Sequence, residues 1–347
     1  MGSTLILAGW LLLAAVAGPL AYARASEGAS EPRPSGSGSV ERAALAVVEK
    51  IGGQVGFYSA GGQRLAGVPV SVHPHEIVLS HDRRFLYVSD NGILWMTDPG
   101  EGGNTVSILD VAKRAKTGEI SLGKFRRPHG MDVDPTTGRL VVTVENPPGL
   151  LLVDPAARKV LRTYDIQGKM PHMVLLGPGA EWAYVSNSGS STIAAVHLAS
   201  GKVTLIPTDA RPQGGVRSHD GRLVYITNSD GNSISIIDTR TRQKVGVIPV
   251  GKQPGRLALT PDGKTLVYNL QGENALGFAD VVSRRQTEVV PIGGRSLSLT
   301  LSPDGKYAYG GIQDQDRIAV VSVIGRKVVK YIQTPKGAGP DPALPLP

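Results

Sequence analysis

A repeat limits this chain more than any other feature. "RPQGGVRSHDGRLVYITNSDGNSISIIDTRTRQKVGVIPVG" begins at Arg211, and "KQPGRLALTPDGKTLVYNLQGENALGFADVVSRRQTEVVPIG" follows from Lys252. Both read as an apolar run, a turn of the "PDGK" kind, a second run, a loop, a third run ending in Asp, and a fourth ending in Gly. The runs are short, β-branched and bounded by turn residues, which is the signature of strands. Each unit is therefore four strands in 41–43 residues, and six copies lead in at Pro74, Pro128, Pro171, Pro212, Pro254 and Ser296. A sheet this small cannot bury both faces alone, and radial stacking of such units makes a β-propeller.

Ring closure explains the remainder. Residues 44–70 look like the last three strands of one more unit, and the C-terminal "GPDPALPL" supplies its missing inner strand. The expected fold is all-β: a seven-bladed β-propeller of four-stranded blades, its ring closed by strands from both termini, which also removes the exposed sheet edges.

The segment "YITNSDGNSISIIDTRTRQKVGVIPVGKQPGRLALTPDGK", together with "YVSDNG" and "YVSNSGSSTIAAV", resembles the YVTN-repeat β-propeller family, the group of YncE-like periplasmic proteins related to lactonase-type propellers. The likeness spans about residues 44–335. The second unit departs from it, reading "LVVTVENPPGLLLVD" with a shortened loop. The resemblance implies the fold far more firmly than an activity, since related propellers include lactonases, surface-layer proteins and single-stranded-DNA binders.

The N-terminus reads "MGSTLILAGWLLLAAVAGPLAYA", an apolar run ending in a small-x-small cleavage signature. Residues 1–23 are expected to be a secretory signal peptide. Residues 24–39, rich in Ser, Gly and Pro, are expected to be a disordered linker. The propeller then occupies 40–347, without a membrane span in the mature form. The expected location is the periplasm or the exterior, and the expected state is a monomer. The chain has no cysteine, which excludes disulfides, thiolate metal ligands and a Cys nucleophile. The net charge of +8 is dispersed among acids, and aromatic residues make up only 5%. Both facts disfavour a nucleic-acid partner, which would need a basic track with stacking platforms.

Of seven histidines, three follow a leading proline: His75, His129 and His172. Across the six complete units that column continues with Gln213, Gly255 and Leu297. The position lies where the chain turns into the innermost strand, so three imidazoles from successive blades should converge at one channel mouth, within about 8 Å, as a shared ion would require. The end of the second strand carries Asp90, Glu145, Asn187 and Asn228, which are expected on the same face. Arg127 and Arg211 precede the leading proline, and Arg295 holds the matching place in the sixth unit. The insertion 91–104, with Trp95, is expected to cover the mouth.

Neutral imidazoles on adjacent strands can supply a facial nitrogen set for one divalent metal, Zn, Cu or Fe. Glu76 or Glu145 would then serve as general base or orienting group, and Arg127, Arg211, Gln213, Asn187, Asp90 and Trp95 would hold a small anionic ligand. The same side chains can equally form a hydrogen-bonded plug. Two functional classes remain open at this level: a metal- or His-assisted hydrolase or lyase of the lactonase kind, and a non-enzymatic binding or scaffold propeller with a protein, envelope or single-stranded nucleic-acid partner.

Overall fold

The computed structural model describes residues 41–346; the expected signal peptide and linker, residues 1–39, lie outside them. The described chain forms seven four-stranded antiparallel sheets. Its only helical pieces are two single 3₁₀ turns, Pro178–Ala180 and Gln313–Gln315. No helix among the described residues is long and apolar enough to cross a membrane.

The inner strands of blades 1 to 6 are Ile77–Leu79, Arg126–Val133, Pro171–Leu176, Pro212–Arg217, Pro254–Leu259 and Thr300–Leu301. Blade 7 is the composite one. Pro340–Pro345 is its inner strand and pairs antiparallel with Leu45–Glu49, and Gln54–Tyr58 and Arg64–Pro69 complete the sheet. Closure by both ends of the propeller is thus present in the strand order.

Each blade is buried on both faces, so its runs read as nearly continuously apolar. In the second strand of blade 4, Leu223–Asn228, Val224 and Ile226 pack against blade 3, while Tyr225 points the other way into blade 5. One apolar cluster fills each of the seven junctions between neighbouring blades. Full burial of one such aliphatic side chain is worth ~1.5–3 kcal/mol, so stability comes from these junctions.

Two local devices set the mouth. In blades 2, 3, 4, 5 and 7 the ladder between first and second strands slips by one residue just after the leading proline. Such a bulge re-aims the side chains at it. The residues before the prolines, His73, Arg127, Met170, Arg211 and Gln253, all adopt positive φ between 45° and 59°. Gly130 then allows close approach. A Cβ there would stand 2.7 Å from the carbonyl oxygen of His172, so its absence lets the inner strand of blade 3 come against that of blade 2.

Candidate functional site

The three histidines meet as the repeat implies. The ring centroids of His75 and His129 are 3.9 Å apart, and those of His129 and His172 are 4.3 Å apart. Their backbones are held by side chains from the preceding blade. Thr143 Oγ1 donates to the His172 carbonyl at 2.7 Å, and Asn91 Nδ2 donates to the Pro128 carbonyl at 3.1 Å.

Each imidazole has a distinct setting. His129 is fully buried, and its Nδ1 lies 2.7 Å from Glu145 Oε1. A carboxylate only accepts, so Nδ1 is the nitrogen that carries a proton toward it, and Nε2 is the other ring nitrogen. That Nε2 is buried and has no hydrogen-bond partner among the described residues. His172 Nδ1 lies 3.3 Å from Arg256 Nη1; a guanidinium only donates, so this nitrogen accepts and Nε2 carries the proton. His75 Nδ1 is 3.4 Å from Glu76 Oε1 but out of alignment, and it too lacks a hydrogen-bond partner. Burial, then the neighbouring His129, holds the pKa of both His75 and His172 well below the ordinary imidazole value, with the cationic Arg256 acting in the same direction. Both are therefore neutral at neutral pH, and in His172 the one ring lone pair is the one that accepts from Arg256.

Acids stand behind the imidazoles, and each is matched by a cation. Glu145 lies 3.6 Å from Arg127, Glu76 is bonded to Arg256, and Asp341 lies 3.4 Å from Lys50. Lys50 is buried, and desolvation lowers its pKa against the opposing pull of Asp341. A pocket of about 200 Å³ opens among these groups. At ~30 Å³ of liquid per water it holds about seven waters, the bulk of a single sugar ring. Its wall includes the three histidines, Lys50, Arg256 and Asp341, and its rim includes Arg211 and Arg295. Trp95 lies across the opening, with Lys50 and Arg295 at 5.8 and 6.0 Å from its ring.

Several expected residues sit elsewhere. Glu145 was aligned with Asp90 and Asn187, but the ladders show otherwise. Pro171 pairs with Asn187 and Pro212 with Asn228, whereas Pro128 pairs with Val144. Glu145 is therefore one residue further on, in the column of Asn91, Ser188 and Lys50. Successive strand residues face opposite sides, so one residue decides the face. Asp90 turns instead to Thr105 and Ser107 of its own blade, at 2.6 and 2.8 Å, and Asn187 to Thr192 at 3.2 Å. Neither lines the pocket. Arg127 also points away from it: its guanidinium donates to the carbonyls of Met96, Asp98 and Gly100, at 3.3, 2.9 and 2.5 Å, and so ties down the segment that carries Trp95. Glu76 and Glu145 stand behind the histidines rather than on the wall. Of the anticipated ligand-holding residues, Arg211, Gln213 and Trp95 do line the pocket.

Lys50, Arg256 and Asp341 escaped the sequence reading. Asp341 follows Pro340 and is the seventh member of the post-proline column, and Arg256 shares the column of Glu76. Both were discoverable from the alignment of repeats. That Asp341 meets Lys50 within blade 7, and that Arg256 of blade 5 reaches Glu76 of blade 1, was not.

No protein-family model matches the chain, and no curated protein matches it. Solved structures do. A protein of unknown function from Desulfotomaculum acetoxidans DSM 771 superposes with a TM-score of 0.73 at 15% identity, over 87% of this chain and 98% of that one. The periplasmic gluconolactonase PpgL of Pseudomonas aeruginosa gives 0.69 at 16% identity, over 88% and 99%. The dihydro-heme d1 dehydrogenase NirN gives 0.64 at 15% identity, over 87% of this chain and 66% of that one. At these identities the likeness is one of fold: a seven-bladed propeller.

Proposed function

We propose that this is an exported propeller that binds a small anionic ligand at its His-lined mouth and hydrolyses a lactone-like substrate there. The observation that carries the reading is the Glu145–His129 pair, which leaves a buried, unpartnered imidazole lone pair on the wall of a small pocket rimmed by arginines. A carboxylate-oriented imidazole of this kind is what water activation requires. Arg295 and Arg211 supply fixed positive charge for a carboxylate or polyhydroxy-acid group. The His172 Nε2–H and Lys50 face the same space, where negative charge would develop on a carbonyl oxygen under attack. In the net reaction, water oxygen adds to the carbonyl carbon and the ring C–O bond breaks. One water proton ends on the released hydroxyl, and the other leaves from the carboxylic acid. The fold likeness to PpgL and the YVTN resemblance both support lactones as the first substrates to try.

The test is pH-stat hydrolysis of glucono-δ-lactone and related aldonolactones. Turnover is expected, with kcat/KM falling about 10²- to 10⁴-fold in His129→Ala. Arg295→Ala should raise KM more than it lowers kcat. Wild-type turnover by His129→Ala, or no hydrolysis of any lactone in the series above buffer, would remove the reading.

A further inference from the structure

Among the described residues, one group of three side chains offers ligand atoms that all lie within 4.8 Å of one another: His75, Glu76 and His129. His172 is not among them, and its Nδ1 accepts from Arg256. We infer that His75, Glu76 and His129 form a two-histidine, one-carboxylate site for a first-row divalent transition metal, and that His172 is not a ligand. The inference rests on the mouth being the functional site, and it gives the His129 Nε2 lone pair to a cation, which would then activate the water in place of the imidazole.

Three observations carry it. First, both histidines keep a buried nitrogen without a partner, His75 Nδ1 and His129 Nε2, and a buried polar atom left unpaired is costly. A cation accepting both lone pairs removes that cost at two places together. Second, the Glu145 carboxylate on His129 Nδ1 is the arrangement that orients metal-bound imidazoles and raises their basicity. Third, two imidazoles with one carboxylate select a transition metal such as Zn²⁺ or Fe²⁺ over Ca²⁺ or Mg²⁺, which take oxygen ligands.

The surrounding cations act against this. Arg256 is bonded to Glu76, and Lys50 and Arg295 line the same pocket. Three buried or half-buried carboxylates, Glu76, Glu145 and Asp341, already match Arg256, Arg127 and Lys50. Arg211 on the rim has Asp230 at 3.8 Å, whereas Arg295 is bonded to the neutral Gln271 and is left to bring in an anion, so cation and anion should bind with positive coupling. Three protein ligands leave open positions for water or a carbonyl oxygen, and a bound cation would polarise either.

The experiment is calorimetric titration of chelator-treated full chain with Zn²⁺, with and without gluconate, and with Co²⁺ read by its visible absorption. One equivalent should bind, more tightly with gluconate present. His75→Ala and His129→Ala should abolish stoichiometric binding, while His172→Ala should keep it. Glu145→Gln should weaken it about 10- to 100-fold, as loss of an orienting partner does. Far-UV circular dichroism separates loss of the site from loss of the fold. For any variant that fails to fold, the Co²⁺ spectrum of the wild type decides: histidine-ligated bands support the site, and their absence overturns it. No Zn²⁺ binding by the folded wild type sinks the inference, and so does equal loss in His172→Ala. Gluconate binding to the metal-free protein is read separately, so the anion site can stand while the metal site falls, or the reverse.

Discussion

Asp90 and Asn228 occupy the same position in blades 1 and 4 and show how one side chain type sets a pH response. Asn228 donates to Ser233 and Ser235 at 3.0 and 2.9 Å, and Asp90 accepts from Thr105 and Ser107. Burial pushes the Asp90 pKa from 3.8 up to about 6, against the pull of those two hydroxyls. A carboxyl whose folded pKa is raised costs nothing below the unfolded pKa, and costs progressively more as pH rises from about 4 to about 6. Asp90→Asn should therefore stabilise the protein by about 1–3 kcal/mol at pH 7.5, from a shift of about two units at ~1.4 kcal/mol each, and the gain should vanish near pH 4. Thermal melts at the two pH values check this; an equal gain at both would refute it. His75 and His172 act in the opposite sense. Their folded pKa values are depressed, so the stability they contribute is present above the unfolded value near 6.5 and is lost as pH falls below it. In the wild type the melting temperature should drop between pH 7 and 5. Replacing both histidines with Asn should flatten that part of the curve.

At the scale of an element, the segment over the mouth is held chiefly by one side chain. Arg127 bridges three of its carbonyls and also approaches Glu145. Its planar fork can satisfy several acceptors at once, which a lysine ammonium on a flexible stem does less well. Arg127→Lys keeps the charge beside Glu145 and loosens the tie. The melting temperature should hardly change, because the seven inter-blade clusters are untouched. Limited proteolysis should cut between residues 92 and 103 several-fold faster than in the wild type, and KM for an anionic ligand should rise. Unchanged protection of that segment would show that Trp95 is held by other contacts. Trp95 fluorescence, compared with a Trp95→Phe control, follows the same event.

At the scale of the molecule, the ring is a closed circuit of junctions. Pro340–Pro345 is hydrogen-bonded to Leu45–Glu49, and Ala343 and Leu346 belong to the clusters on either side of blade 7. Deleting residues 340–347 would bare the edge of Leu45–Glu49 and leave Lys50 buried without Asp341. An uncompensated buried charge and an open strand edge are both destabilising, and the second also invites pairing between copies. The melting temperature should fall by at least about 5 °C, with concentration-dependent association seen by light scattering. A truncated chain that melts like the full one would mean that blade 7 closes without its inner strand.

The repeat alone determined the number of blades, the split seventh blade and the meeting of His75, His129 and His172, because a fixed period maps sequence columns onto rings around one axis. It did not determine which face each neighbouring residue takes. The second strand of blade 2, Leu140–Asn146, runs one residue longer than its counterpart Trp182–Asn187. The register is nonetheless the same, Pro128 pairing with Val144 as Pro171 pairs with Asn187, so Glu145 stands one column later, and with a side-chain period of two it reaches His129 while Asp90 and Asn187 turn into their own blades. Nor did it reveal the pairs that complete the mouth. Arg256 reaches Glu76, 180 residues away, and Lys50 reaches Asp341, 291 residues away. The Arg256–Glu76 contact depends on how far long side chains extend between blades 5 and 1, which only the closed ring sets, and the Lys50–Asp341 contact depends on the two chain ends pairing within blade 7.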